Sequence, residues 1–338
     1  MQTQTIVFTK KDTAELLPFD VPQVGEHDVL IEMAYTTISN GTERANVNGD
    51  PTVSVASYDT EAHFPRTCGY SGAGVVLEVG SAVKNFKPGD RVVPSWCKHT
   101  RYHVTNEKNV HLIESEKVSL RAASTVMIGT FPMAAIRKCR LEMGESGMVM
   151  GLGILGQFAV MLLRAAGAVP VIAVDPVAEK REIAMKLGAD YALDPTDPDF
   201  AKTVKEITHG GANVCIEVTG VDRALDNALD AMARYGRVAL LGCTRHSTIA
   251  IDYYHKVHGP GISLIGAHTK ARPDVEYSAG LWTDHDDIMT LLRMDAMGRI
   301  DLDSLISEVH SPAECFEVFS RLVNERQFPV VSFDWSKV

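Results

Sequence analysis

Glycines 151, 153 and 156 stand at a spacing that suits a pyrophosphate. The apolar run Met148-Val-Met leads into them, and an amphipathic run from Gln157 to Ala166 follows. This reads as a strand, a tight turn and a helix. Gly151 permits the turn, and Gly153 lets backbone approach the phosphates. Gly156 seats the helix against the strand, with Ile154 and Leu155 in the same phosphate-facing turn. A second apolar strand, 169–174, ends in Asp175. A carboxylate there can accept from both ribose hydroxyls and would repel a 2′-phosphate, so the expected cofactor is NAD(H), not NADP(H).

The elements around this turn alternate. Strands are expected at 148–151, 169–175, 191–193, 214–218, 237–241 and 263–266, with helices at 155–166, 178–187, 200–208 and 224–233. That rhythm implies an α/β fold with a doubly wound parallel sheet and a ligand across its C-terminal strand ends. Thr219-Gly220 and Gly242-Cys243, at two such ends, are expected to line the cofactor. His268 follows the sixth strand, where it would touch nicotinamide or serve as a cap. Residues 1 to 118 differ: short strands alternate with Gly and Pro turns, as in a partly open barrel. The expected division is 119–271 for the nucleotide domain, with 1–118 and 272–338 forming the β-rich substrate domain.

Composition narrows the function classes. The formal net charge is −10 and no basic stripe is visible, which argues against nucleic acid as a partner. The apolar stretch 147–163 contains four glycines and Gln157, so it reads as strand, turn and helix rather than a membrane span. With no secretory segment apparent, a cytoplasmic location is expected. The six cysteines are scattered, no two closer than 28 positions, so no C-x-x-C zinc knuckle is present.

The segment Gly69-Tyr-Ser-Gly-Ala-Gly-Val-Val-Leu-Glu-Val-Gly80, with Val83, Phe86 and Gly89-Asp-Arg-Val92 after it, resembles the signature of the medium-chain dehydrogenase/reductase superfamily. The loop 38–43 before it and the glycine turn after it fall in the superfamily's order, so the resemblance covers nearly the whole chain. It implies a Rossmann domain, a GroES-like partly open barrel, and hydride transfer between a nicotinamide cofactor and a small-molecule substrate. It also implies a homodimer, and a contact from Lys180 to the adenosine ribose. Arg326 stands near the last strand, where relatives often carry a base that meets the pyrophosphate.

Departures from the superfamily pattern sit at the metal. Asn40 stands where the first zinc ligand, a Cys, belongs; Tyr70 replaces the His and Ser71 the Glu of the G-H-E motif. Zinc takes thiolate, imidazole or carboxylate, so no catalytic metal is expected. A non-standard set drawn from Glu43, His63, Cys68, Cys97 and His99 stays open. Thr42 matches the superfamily's proton-relay hydroxyl; its other reading is a hydroxyl that satisfies a turn. Tyr70 can donate to a developing alkoxide without metal. Glu43 is a third catalytic candidate, unless it pairs with Arg44 or Arg66. Asn40, Ser71, Trp96 and His99 are the expected substrate contacts. The polar set favours an NAD-dependent alcohol dehydrogenase acting on a sugar or polyol-like substrate. Reduction of an activated C=C bond in an enone or quinone, and NAD sensing without turnover, are the alternatives.

Overall fold

The computed structural model describes residues 1–338 apart from 52, 54–62, 246 and 326; Arg326 therefore lies outside the described residues. The chain divides into two compact units, Met1–Ile128 with Ile288–Val338, and Gly129–Asp287.

The second unit holds a six-stranded parallel sheet. Its order is Tyr191–Leu193, Val171–Val174, Gly147–Met150, Ala212–Glu217, Met232–Leu240 and Ser263–Gly266. Gly147–Met150 and Val171–Val174 are buried at every position, because helices cover both faces of a parallel sheet and continuous apolar runs result. The first and fourth strands lie side by side, and the order reverses there. In a doubly wound sheet that is the ligand-binding point. The observed sheet matches the expected one strand for strand.

In the first unit, a hairpin of Gln2–Lys10 and Thr13–Asp20 takes Arg66–Thr67 as its third strand. A second sheet runs Glu308–His310, Val331–Asp334, Asp28–Thr37, Gly72–Val79, Arg91–Pro94 and Val110–Leu112, and Tyr102–Asn106 also pairs with Asp28–Thr37. The core between them includes Ile6, Phe8, Ile31, Phe319, Phe333 and Trp335, all fully buried. Phe8 and Phe319 meet edge to face at 4.9 Å. Thr13–Asp20 was not anticipated as a strand, since Pro18 and two acidic residues, Glu15 and Asp20, interrupt its pattern.

One expectation is corrected here, and the compact units divide at other residues than the expected domains. Residues 40–43 belong to a helix, Asn40–Val47, not a loop. Glu43 reaches back so that its carboxylate accepts from the Ser39 N–H at 2.9 Å, which satisfies one of the orphan donors at the helix start. The unit boundaries also shift from 118/119 and 271/272 to 128/129 and 287/288. Ser124 is the reason for the first: its hydroxyl meets that of Thr37 at 2.7 Å, and its carbonyl accepts from Ser71 at 2.6 Å. The second follows from Arg272, which pairs with Asp284 and Asp287.

Glu308 pins the edge strand to the helix Cys315–Asn324 through both arms of Arg321, at 2.8 and 3.1 Å. Those hydrogen bonds hold its carboxyl down at about 2. A depressed carboxyl contributes stability above its unfolded value of ~4.3 and loses it as pH falls toward 2. The pair is partly exposed, so its worth stays near or below ~1 kcal/mol. Urea midpoints of wild type are expected to fall more steeply between pH 4.5 and pH 2 than those of Arg321→Met, measured by circular dichroism.

Candidate functional site

Each glycine of the nucleotide turn does a different job. Gly151 takes φ 96°, a conformation that favours glycine, and a Cβ there would come within 2.7 Å of Thr219 Cγ2. Gly153 caps the helix Ile154–Ala165 without any side-chain hydrogen bond, and a Cβ on it would meet nothing within 4 Å. The helix start therefore presents backbone N–H groups beside open space, the arrangement a phosphate needs. At Gly156 a Cβ would fall 1.9 Å from the Gly151 carbonyl oxygen, so helix and strand touch through backbone.

Asp175 closes the turn from the neighbouring strand. Its two oxygens accept from Leu152 N–H and Val177 N–H, both at 2.9 Å, and Lys180 Nζ lies 3.9 Å away. The turn, Asp175 and Lys180 thus form one group. Thr219-Gly220 and Gly242-Cys243 pack backbone to backbone: a Cβ on Gly242 would lie 2.2 Å from Gly220 N. Glu217, which sequence reasoning passed over, organises this end. It is buried and accepts from Thr219 N–H at 2.8 Å, from the Thr219 hydroxyl, and from Gly220 N–H at 3.4 Å. Burial pushes its carboxyl up, against those hydrogen bonds. An acidic residue ending the apolar strand Ala212–Glu217 was the available signal. His268 Nδ1 accepts from Lys270 N–H at 3.2 Å, and burial with the nearby Lys270 charge lowers its pKa. These features fit a nicotinamide dinucleotide.

A second group missed from sequence lies in this unit. Asp287 is fully buried between Arg137, at 3.3 Å, and Arg272, at 3.4 Å. Burial raises its carboxyl to about 7 despite both guanidiniums. Trp282 lies under Arg137 at 3.9 Å and stacks on Tyr277.

In the first unit, Tyr70 is buried and its hydroxyl donates to Ser39 Oγ at 2.5 Å. Its ring sits 5.7 Å from that of Trp96, which is 46% exposed and held at φ 59°. A tryptophan in that left-handed conformation costs roughly 1–3 kcal/mol, a strain that tends to collect at functional sites. The Thr42 side chain is exposed. Asn40 Nδ2 donates to the carbonyls of Phe328 and Pro329 at 3.2 and 3.3 Å, while its buried Oδ1 has no hydrogen-bond partner among the described residues. Ser71 is buried, donating to Ser124.

Glu43 and His99 are placed differently from expectation. Both are buried, and His99 Nε2 meets Glu43 Oε2 at 2.9 Å. His99 Nδ1 meets Thr36 Oγ1 at 2.7 Å, and Trp335 Nε1 donates to the same oxygen at 2.9 Å. Both ring nitrogens and both carboxylate oxygens are thus engaged by protein atoms in the core. Glu43 pairs with neither Arg44, which donates to the carbonyls of Leu322 and Glu325, nor Arg66, which donates to that of His63.

Two family models match the chain: the alcohol dehydrogenase GroES-like domain over residues 25–171, and the zinc-binding dehydrogenase domain over 155–281. The chain belongs to the medium-chain dehydrogenase/reductase superfamily of nicotinamide-dependent oxidoreductases. It is 27% identical to L-threonine 3-dehydrogenase of Thermococcus kodakarensis, over 90% of this chain and 89% of that one. Against D-guloside 3-dehydrogenase of Escherichia coli the identity is 27%, over 75% and 72%. A dehydrogenase from Sinorhizobium meliloti 1021, solved with NADP bound, shares the fold with a TM-score of 0.81 at 19% identity, covering 99% of each chain.

Zinc, which one of these family models names, fails its fit at the expected positions. Asn40, Tyr70 and Ser71 each spend a hydrogen on a protein oxygen, and none is a thiolate, imidazole or carboxylate. Among the described residues, no set of three His, Cys, Asp or Glu ligand groups forms around them.

Substituting Gly156→Ala tests the close helix contact in the nucleotide turn. The added methyl has only backbone to push against, so the helix start must move. Nicotinamide dinucleotide binding, followed by fluorescence titration, is expected to weaken at least tenfold, with Tm lowered by a few degrees.

Proposed function

We propose that this enzyme passes hydride between NAD(H) and the alcohol/carbonyl pair of a hydroxyl-rich substrate, a sugar or polyol derivative, without zinc at the reacting oxygen. The observation that carries this is the replacement of the metal-binding positions by hydrogen-bonding groups: Asn40, Tyr70 with Ser39, and Ser71. The names of the threonine and D-guloside relatives, both of which act on hydroxylated substrates, support the same reading.

When bound, NAD supplies the hydride acceptor or donor. The protein must then stabilise charge on the substrate oxygen and move one proton. Tyr70 is suited to the first task. Its single O–H donates to Ser39 Oγ; turned from Ser39 to a developing alkoxide in this buried setting, that donor would act where a Lewis acid otherwise would. Thr42, exposed on the helix that starts at Asn40, is suited to passing the proton outward. Trp96 would cover an apolar face of the substrate. Asp175 supports NAD(H) over NADP(H), because a carboxylate joined to the glycine turn repels a 2′-phosphate. The outer edge of strand Ser263–Gly266 ends the sheet and suits the expected homodimer.

Two outcomes test this reading. Tyr70→Phe is expected to lower kcat about 10²-fold with KM changed far less, since the lost donor acts on developing charge. Equal falls in activity and thermal stability would assign Tyr70 to packing instead. Asp175→Ser is expected to shift the ratio of kcat/KM for NAD over NADP toward NADP by at least tenfold, measured across a panel of polyols and enones. Turnover of enones alone, with NADPH preferred by the wild type, would overturn the proposal.

A further inference from the structure

Three potential metal ligands meet in the core of the first unit, and none of them is a residue at which the superfamily resemblance places zinc. Glu43, Cys68 and His99 are all buried, and one ligand atom of each lies within 4.8 Å of the others. The Glu43–His99 contact is already 2.9 Å. Around a tetrahedral zinc ion, such atoms sit about 3.4–3.6 Å apart. Small side-chain movements would therefore bring all three to bonding distance.

The backbone around them is fixed. His99 N–H donates to the Cys68 carbonyl at 2.9 Å, and Ile6 N–H donates to the His99 carbonyl at 2.9 Å. Gly69 permits that closeness: it takes φ 91°, and a Cβ would come 2.7 Å from His99 N. The imidazole is oriented in the manner of metal-bound histidines, with its far nitrogen held by Thr36, which Trp335 holds in turn. The Ile6 carbonyl, 3.9 Å from Cys68 Sγ, is at hand as a fourth donor.

Charge gives the second argument. A carboxylate fully inside an apolar core needs compensation. No Lys or Arg is paired with Glu43 among the described contacts; the residue it meets is His99, with a thiol beside the pair. A carboxylate, a thiolate and a neutral imidazole sum to two negative charges, which one divalent ion cancels. An imidazolium would also balance the carboxylate, with the neighbouring thiol left as a weak donor to the Ile6 carbonyl.

We infer that Glu43, Cys68 and His99 form a closed structural site for a zinc-type divalent ion within the β-rich unit. The mix of sulfur, nitrogen and oxygen donors suits zinc, and full burial leaves no open position for substrate. The ion would tie the helix Asn40–Val47 to the strands beneath it and take no part in hydride transfer.

The full chain, purified without chelator, titrated with zinc and desalted, is the material for the test. Wild type is expected to retain about one zinc per chain by mass spectrometry of the metal, and Cys68→Ala at least tenfold less. Cobalt-substituted wild type should show the near-ultraviolet thiolate-to-cobalt absorption, retained in Cys97→Ala. Chelator should lower the wild-type Tm toward that of Cys68→Ala. No zinc retained by wild type, or equal zinc in Cys68→Ala, overturns the inference and leaves a buried imidazolium–carboxylate pair. If Cys68→Ala fails to fold, absence of the cobalt–thiolate band in wild type overturns it alone. Zinc kept by Cys68→Ala but lost by Tyr70→Phe would instead place the ion at the substrate positions, and would sink the metal-free reaction as well.

Discussion

The β-rich unit depends on what happens around one imidazole. His99 bonds through one nitrogen to Glu43, at the start of a helix, and through the other to Thr36, on the central strand. Thr36 accepts in turn from Trp335 near the C-terminus, so distant parts of the chain converge on a polar cluster sealed by Phe319 and Phe333. Removing one member would strand the others in an apolar core, a loss that exceeds the worth of any single hydrogen bond. The cluster thereby sets the position of Ser39, whose hydroxyl orients Tyr70, and of the helix turn that carries Asn40 and Thr42.

The nucleotide unit solves a different problem. A phosphate site needs backbone N–H groups that nothing else has claimed, and side chains are the usual claimants. Here Asp175 takes only the Leu152 N–H, Gly153 faces open space, and Gly156 lets helix and strand approach through backbone. Asp175 and Glu217 then hold the turns on either side by accepting N–H groups at neighbouring strand ends. Both carboxylates are buried, and both are satisfied locally.

Much of this was legible in sequence because it is local. The G-x-G-x-x-G spacing, the alternation of apolar runs and the acidic residue at 175 act within a few dozen residues, and each matched its expected place. The β-rich unit was legible only as a rhythm of short strands. Thr13–Asp20 escaped because its polar, Pro-containing pattern leaves pairing as its main support. The helix at Asn40–Val47 escaped because its start is stabilised by Glu43 reaching backward and by Arg44 donating to carbonyls nearly 280 positions away.

The sequence by itself determined the superfamily and the cofactor turn, and put Asn40, Tyr70 and Ser71 where the resemblance expects zinc ligands, since these are matters of residue type at fixed spacing. Only the tertiary structure decided which polar residues share a site. Glu43 and Tyr70 looked equivalent as candidates, yet one turns into the core to meet His99 and the other sits against Trp96. Both are buried; their partners separate them, and those partners are brought in by chain segments remote in sequence. The same segments bring Cys68 beside Glu43 and His99, a juxtaposition that no spacing in the linear chain encodes.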